Sequence, residues 1–271
     1  MITLLEPVSA AADVGETLKQ TVSASRLNCW SQCRLKFYFR YVLKLRGPKT
    51  PSLHFGTVVH QVLQAWNLRR WRRQPADETA LQAVFATGWA TQVDIDWDGT
   101  ETAQRELAWQ TLTRYFAETP IPPDELPEAV EVPVTADLSQ HGLPQLIGVL
   151  DLVRSNRRIV DFKSAGKTPD PELTLHQHGV QLDCYAVLYR AATGEVETER
   201  ELHHLIKTKV PKVVLTTSGP MTELRQTRLF RLLESYVDGV DRRDFVPSVG
   251  LGCAGCELFA ECQAWDGGRH V

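Results

Sequence analysis

Apolar residues recur at helical spacing through roughly the first 120 positions of the chain and alternate in twos after that. Leu27, Trp30, Phe37, Tyr41 and Leu45 mark one face of the stretch RLNCWSQCRLKFYFRYVLKL. Ser23 or Ser25 can cap this helix, and Gly47-Pro48 stops it. A second helix is expected in HFGTVVHQVLQAWNLRRWRR, ended by Gln74-Pro75, and two more over 77–91 and 101–117. Residues 1–20 read as a flexible leader.

The proline-rich stretch TPIPPDELP (119–127) ends this regime. AVEVPVTADL, QLIGVLDLV and RIVDFKS then alternate as the strands of a β-meander. LTLHQHGVQLDCYAVLYRAATG reads as one helix with Gly194 as its stop. Strands are expected in ERELHHLIKT and KVVLTT, and a helix from about Met221 to Val240. The tail VGLGCAGCELFAECQAW is a cysteine-bearing loop with a short helix. The organisation this predicts is a single domain over 21–265: a mainly helical part (21–118), an α/β core (128–240) and a Cys-rich tail (250–265).

Composition adds exclusions. At 271 residues the chain is long enough for a sizeable core without staples. The balance of 30 Lys+Arg against 33 Asp+Glu, a net charge of -3, shows no cationic coat, so a polyanionic partner must be met by local patches. The N-terminus lacks a basic region followed by an apolar core of signal-peptide length, and no window approaches the roughly 20 apolar residues that cross a bilayer. A cytoplasmic protein is therefore expected, in which six cysteines are thiols or metal ligands rather than disulfides. There is no GxxxxGK[ST] loop and hence no built-in nucleotide-driven motor.

The densest chemistry lies in GVLDLVRSNRRIVDFKSAGKT (148–168). Side chains alternate across a strand, so Ile159, Asp161 and Lys163 share one face of RIVDFKS. The turn RSNRR folds this strand back on IGVLDLV, and Asp151 can sit across from Asp161. Two carboxylates facing each other on a largely apolar side raise each other's pKa and pay a desolvation cost, which a hard divalent cation removes. Oxygen ligands suit Mg²⁺ or Mn²⁺. The adjacent Lys163 can orient or help deprotonate a water and stabilise charge on a phosphorane-like transition state. Taken alone, a D-x-K is most often a surface ion pair; here it follows an aliphatic strand and an earlier aspartate in an equally apolar one.

In order along the chain stand Gly56-Thr-Val-Val-His60, Gly148-Val-Leu-Asp151, Asp161-Phe-Lys163 and Gln181-Leu-Asp-Cys-Tyr185. This set resembles the PD-(D/E)xK nucleases, specifically the RecB/AddB-like branch, over about residues 23–265. The resemblance implies a restriction-endonuclease-like α/β fold, a central mixed sheet flanked by helices. It implies that His60, Asp151, Asp161 and the backbone carbonyl of Phe162 hold the metal, that Lys163 is the water-activating residue, and that Gln181 and Tyr185 line the DNA side of the catalytic site.

Cys253-x2-Cys256-x5-Cys262 has no second knuckle nearby, so a fourth ligand must come from far away. Cys33 supplies it in the resemblance to the iron-sulfur branch (the AddB-type nucleases and the CRISPR-adaptation exonucleases), although Arg34 stands where that branch has proline. The four thiols then imply a structural [4Fe-4S] cluster clamping the two ends of the chain around the nuclease core, with zinc as the competing occupant. Cys29 lies one turn from Cys33, and Cys184 reads as a small core residue. Arg34, Lys36, Arg40, Lys44 and Arg46, interleaved with Phe37, Tyr38, Phe39 and Tyr41, form a candidate nucleic-acid contact unless the aromatics simply pack the helical part, with Gln181 and Tyr185 nearer the chemistry.

The expected function is metal-dependent hydrolysis of DNA by a metal-activated water, with single-stranded ends as substrate and exonuclease as mode. Its setting would be DNA repair, recombination or CRISPR adaptation, with a separate helicase or adaptation protein as partner and no membrane. A noncatalytic iron-sulfur DNA-binding or scaffold subunit is the alternative; a broken D…D-x-K set would favour it, and here the set is complete. A redox sensor whose cluster controls DNA binding is a further rival.

Overall fold

A computed structural model describes residues 9–75, 77–91 and 95–268. In chain order the elements are α1 (Ser9–Gln20), β1 (Thr21–Ser23), α2 (Ala24–Gln32), α3 (Arg34–Phe37), α4 (Pro51–Trp71), α5 (Glu78–Ala90) and α6 (Glu101–Glu118). There follow β2 (Ala129–Ala136), β3 (Gln145–Arg154), β4 (Arg158–Ala165), α7 (Pro171–Gln177) and α8 (Gly179–Thr193). The chain ends with β5 (Glu199–Ile206), β6 (Lys212–Ser218), α9 (Glu223–Asp241) and α10 (Phe259–Ala264). Two compact units emerge, neither continuous in sequence: one of Met1–Gly47, Thr135–Gly148 and Thr222–Val271, the other of Pro48–Val134 and Val149–Met221.

In the first unit, β1 pairs in parallel with the start of β3, Thr21 opposite Gln145 and Ser23 opposite Ile147. Of the expected leader, residues 1–8 lie outside the described residues, and Ser9–Gln20 form α1. The single helix expected over the first aromatic run is instead broken. Cys33 is extended (φ -161°, ψ 112°), and its Sγ accepts from the Lys36 amide at 3.4 Å, so the thiol caps the start of α3. A wider π-type turn over Tyr38–Val42 follows. Periodicity survives such a break, because the apolar face is still required: Trp30, Phe37 and Tyr236 meet edge-on with ring centroids 5.4–5.7 Å apart. Phe37, Tyr38 and Phe39 are all buried. Of the two roles open to these three rings, stacking on bases or packing the helical part, they take the second.

In the second unit the strand order is β3-β4-β5-β6, antiparallel, then parallel, then antiparallel, and β2 also pairs with β3. Leu152, Val160, Phe162 and Leu205 pack beneath Phe55, Val58, Val59, Val62 and Leu63 of α4, joined by Phe85 and Trp89 of α5 and Leu112 and Tyr115 of α6. Side chains alternate, so Asp161 points to the opposite face, where Leu182, Tyr185, Ala186 and Tyr189 of α8 are buried. The stretch expected as one helix is two, α7 and α8, with His178 between them. Gly194 closes α8 in the left-handed conformation (φ 73°), as its position predicts. No described helix is long and apolar enough to cross a membrane.

Buried charge in this sheet is paired. Arg154, 3% exposed, donates to both oxygens of Glu201 (3.0 and 2.9 Å) and to both of Glu125 (2.9 and 2.8 Å). Glu201 also meets His203 Nε2 at 2.7 Å, and His203 Nδ1 meets the Tyr115 hydroxyl at 2.7 Å. Such a network costs little while every member is satisfied and a great deal once one is removed.

Packing in the first unit leaves no room at Gly239, where an added Cβ would lie 2.1 Å from Trp30 Cζ2. Gly239→Ala should therefore destabilise the protein by about 1–3 kcal/mol through overpacking, read as a lowered urea midpoint with unchanged slope.

Candidate active site

The β3–β4 hairpin builds the centre. Leu152 pairs with Val160 and Val153 with Ile159 in antiparallel register. One step further along, Asp151 accepts a hydrogen bond from the Phe162 amide at 3.2 Å, so the strand opposite uses a backbone donor to hold the carboxylate in place.

Asp161 is 1% exposed and is gripped from α8. Gln181 Nε2 donates to Asp161 Oδ1 at 2.9 Å and lies 2.9 Å from the Tyr185 hydroxyl, while Gln181 Oε1 accepts from Lys163 Nζ at 2.9 Å. Lys163 Nζ also lies 2.7 Å from Asp161 Oδ2, outside hydrogen-bond geometry, so that buried oxygen accepts no aligned hydrogen bond. The spacing that puts Gln181 and Tyr185 on one helical face thus brings both to the D-x-K strand. Burial, and then the negative charge of Asp161, push the Tyr185 hydroxyl's pKa well up, so it stays protonated and able to donate.

On the α4 side, His60 Nδ1 lies 3.5 Å from Asp151 Oδ2. Asp151 titrates abnormally high, at about 6, because burial and then the Asp161 charge disfavour its ionised form more than His60, the Phe162 amide and Lys163 favour it. Glu131 of β2 joins this edge: its carboxylate, His60 and Asp151 each offer a ligand atom, all within 4.8 Å of one another. Burial, and secondarily Asp151, lift Glu131 to about 7. An open groove of about 740 Å³ leads to the three, lined also by Thr50, Ser52, Gly56 and Ser164.

Of the expected set, His60, Asp151, Asp161, Lys163, Gln181 and Tyr185 come together in one unit. The carboxylate that converges with His60 and Asp151, however, is Glu131 rather than Asp161. Sequence reading passed over Glu131, and nothing in its spacing flags it: AVEVPV reads as plain alternation. Its backbone departs from a strand, with φ 49°, so alternation does not describe where its side chain goes.

The donor set fits a hard divalent cation. It combines carboxylate oxygens with one imidazole, two of the carboxylates lack an arginine or lysine partner, and a buried Asp161 oxygen has acceptor capacity to spare.

The four sulfurs expected to share a cluster lie in the first unit. The Cys262 thiol is raised by burial first, then by the neighbouring Cys33, Cys253 and Cys256. Cys33 Sγ takes amide donors from Lys36 and, at 3.5 Å, from Ser248. Cys29 is buried with its thiol pushed up to about 11, and Cys184 is also buried with its thiol raised; both suit core packing rather than ligation. Arg34, Lys36 and Arg40, expected on nucleic acid, already have acidic partners here. Arg34 pairs with Asp244, and Glu257 pairs with Lys36 at 2.9 Å and Arg40 at 3.6 Å. Their partners lie more than 200 residues away, which is why the run looked uncompensated in sequence.

A mixed sheet with helices packed on it, carrying two aspartates and a D-x-K lysine at one end of a hairpin, defines a restriction-endonuclease-like fold. The chain belongs to the PD-(D/E)XK nuclease superfamily, which it matches over residues 21–263. The fold is similar to a crystal structure described as "Putative exonuclease" from Eubacterium rectale, with 14% identity, 95% of this chain and 93% of that one covered, and a TM-score of 0.61. The crystal structure of SSO0001 matches at 13% identity over 85% of this chain and 92% of that one, with a TM-score of 0.38. No curated protein matches the chain.

The raised Asp151 predicts a pH signature. A carboxyl titrating at about 6 in the folded protein against an ordinary 3.8 stabilises the fold fully below pH 4 and loses that contribution as pH rises through 6. Asp151→Asn should therefore stabilise the cation-free protein at pH 8 by about 1–3 kcal/mol. Thermal melts in EDTA should show the gain at pH 8 and its disappearance by pH 4.

Proposed function

We propose that the protein is a Mg²⁺- or Mn²⁺-dependent deoxyribonuclease that acts on single-stranded DNA ends as an exonuclease. The observation that carries this reading is the conjunction of Lys163, Asp161 and Gln181 in one hydrogen-bonded set with His60 and Asp151 beside it, at the end of an open groove. A structural ion pair would saturate its carboxylates, as Arg154 does for Glu201 and Glu125. Here carboxylate capacity is left over, facing a groove.

In this reading His60, Asp151 and Asp161, with the carbonyl of Phe162, hold the cation. When bound, it supplies a Lewis acid that polarises the phosphodiester and acidifies a water. Lys163 Nζ is oriented by Gln181 Oε1 and is placed to hold the attacking water by a hydrogen bond, to relay its proton by giving up one of its own as it accepts the water's, and to offset charge developing on phosphorus. Gln181 keeps lysine and aspartate in register, and the protonated Tyr185 hydroxyl behind it fixes the amide's orientation.

The four cysteines support a [4Fe-4S] cluster that ties Cys33 to the tail. Amide donors to a ligand sulfur are a usual device for stabilising clusters, and four thiols from one cysteine and a C-x2-C-x5-C segment leave no other protein ligand needed. Repair, recombination or CRISPR adaptation is the setting that suits an end-processing nuclease without a motor, which would take its substrate from a separate helicase or adaptation partner.

Anaerobically purified protein should cut end-labelled single-stranded DNA faster than duplex with Mg²⁺ or Mn²⁺ and not in EDTA. Asp161→Ala and Lys163→Ala should each reduce cleavage about 10²–10³-fold or more while leaving bound iron unchanged. Retained cleavage in both variants would overturn the assignment; binding without cutting under every condition would favour a scaffold subunit. Cys33→Ser and Cys256→Ser should each lower bound iron from about four atoms per chain and bleach the visible absorption. Zinc in place of iron in the native protein would replace the cluster assignment.

A further inference from the structure

We propose that Glu131 is a direct ligand of the divalent cation, together with His60 and Asp151, an assignment that rests on the metal-dependent reading above and extends it to a residue the family motifs do not contain. Three observations meet at this side chain. Its carboxylate, one carboxylate oxygen of Asp151 and a ring nitrogen of His60 all lie within 4.8 Å of one another, close enough for one ion to contact each after small side-chain adjustments. Asp161 stands outside that triangle, and its own oxygens face Gln181 and Lys163.

The second observation is what Glu131 lacks. It is only partly exposed, yet no hydrogen bond or ion pair to another described residue satisfies its carboxylate, and its charged neighbour on the cluster side, Asp151, carries the same sign. Elsewhere in this unit half-buried and buried glutamates are matched to arginine: Glu125 and Glu201 to Arg154, and Glu197 to Arg190 at 2.7 Å. A carboxylate left beside another carboxylate and an imidazole has the surroundings of a cation ligand rather than of an ion-pair partner.

The third is position. Glu131, Asp151 and His60 line the same open groove, so a hydrated ion and a phosphate can both reach them. The left-handed backbone at Glu131 interrupts β2 between buried Val130 and exposed Val132, and this kink accompanies the turn of its side chain toward the hairpin's aspartate. With Glu131 included, the cation meets three carboxylates in its neighbourhood instead of two, which raises affinity through ligand charge.

Mn²⁺ titration of the full chain without DNA, followed by electron paramagnetic resonance of the free ion, tests this directly. Mn²⁺ is chosen because it prefers oxygen and imidazole to thiolate and so discriminates against the cysteines. Glu131→Gln, which keeps the side chain's size, should weaken Mn²⁺ binding by about 10- to 100-fold, and Glu131→Asp should recover part of that loss. Asp151→Asn serves as the reference. Binding weakened by Asp151→Asn but unchanged by Glu131→Gln, in variants that melt cooperatively and no lower than the parent, overturns the Glu131 assignment and leaves the nuclease reading standing. No Mn²⁺ binding by the parent protein overturns both.

Discussion

Carboxylates gathered at the desolvated end of a β-hairpin repel one another and lose hydration, and most of the second unit is arranged around holding them there. Asp151 and Asp161 belong to neighbouring strands whose register is set by Leu152 against Val160 and Val153 against Ile159, residues buried in the core. Sliding that register by one residue would expose Val160 and Phe162 to the α8 side and turn Asp161 under α4. The apolar packing therefore holds two like charges close, and the Phe162 amide, Lys163, Gln181 and His60 offset part of the cost.

The same sheet contains a useful contrast. Glu201 is also buried and Glu125 partly so, and burial alone would raise them, yet Arg154 pulls Glu125, and His203 with Arg154 pulls Glu201, below the ordinary range. Asp151 and Glu131 have no arginine and are left high. One network is complete within the protein and holds the sheet together. The other leaves its carboxylates without a cationic side chain to match them, and stability is given up there.

The first unit follows a different logic. Its aromatic core of Trp30, Phe37, Tyr236 and Phe245 draws residues from both ends of the chain, and Arg34, Lys36 and Arg40 anchor the tail by charge. Cys33 breaks its helix at the point where its thiol caps the start of α3, in the neighbourhood of Cys262. The helix break and the thiol cap are local events, but what they serve is contact between segments more than 200 residues apart.

The hairpin and its D-x-K face were legible in the sequence from a period of 2 acting on apolar positions, whereas the α4 histidine and the pairing of Gln181 with Tyr185 were picked out by the motif resemblance, with helical spacing adding only that Gln181 and Tyr185 share a face. The break at Cys33, the split between α7 and α8, the acidic partners of the basic helix and the arrival of Glu131 beside Asp151 were not. Each depends on long-range packing or on a single dihedral angle, and periodicity carries no information about either. Local alternation and helical spacing determined which residues face the core and so which acids are forced inward; only the folded chain decided which charges meet, because that depends on distances between segments far apart in sequence.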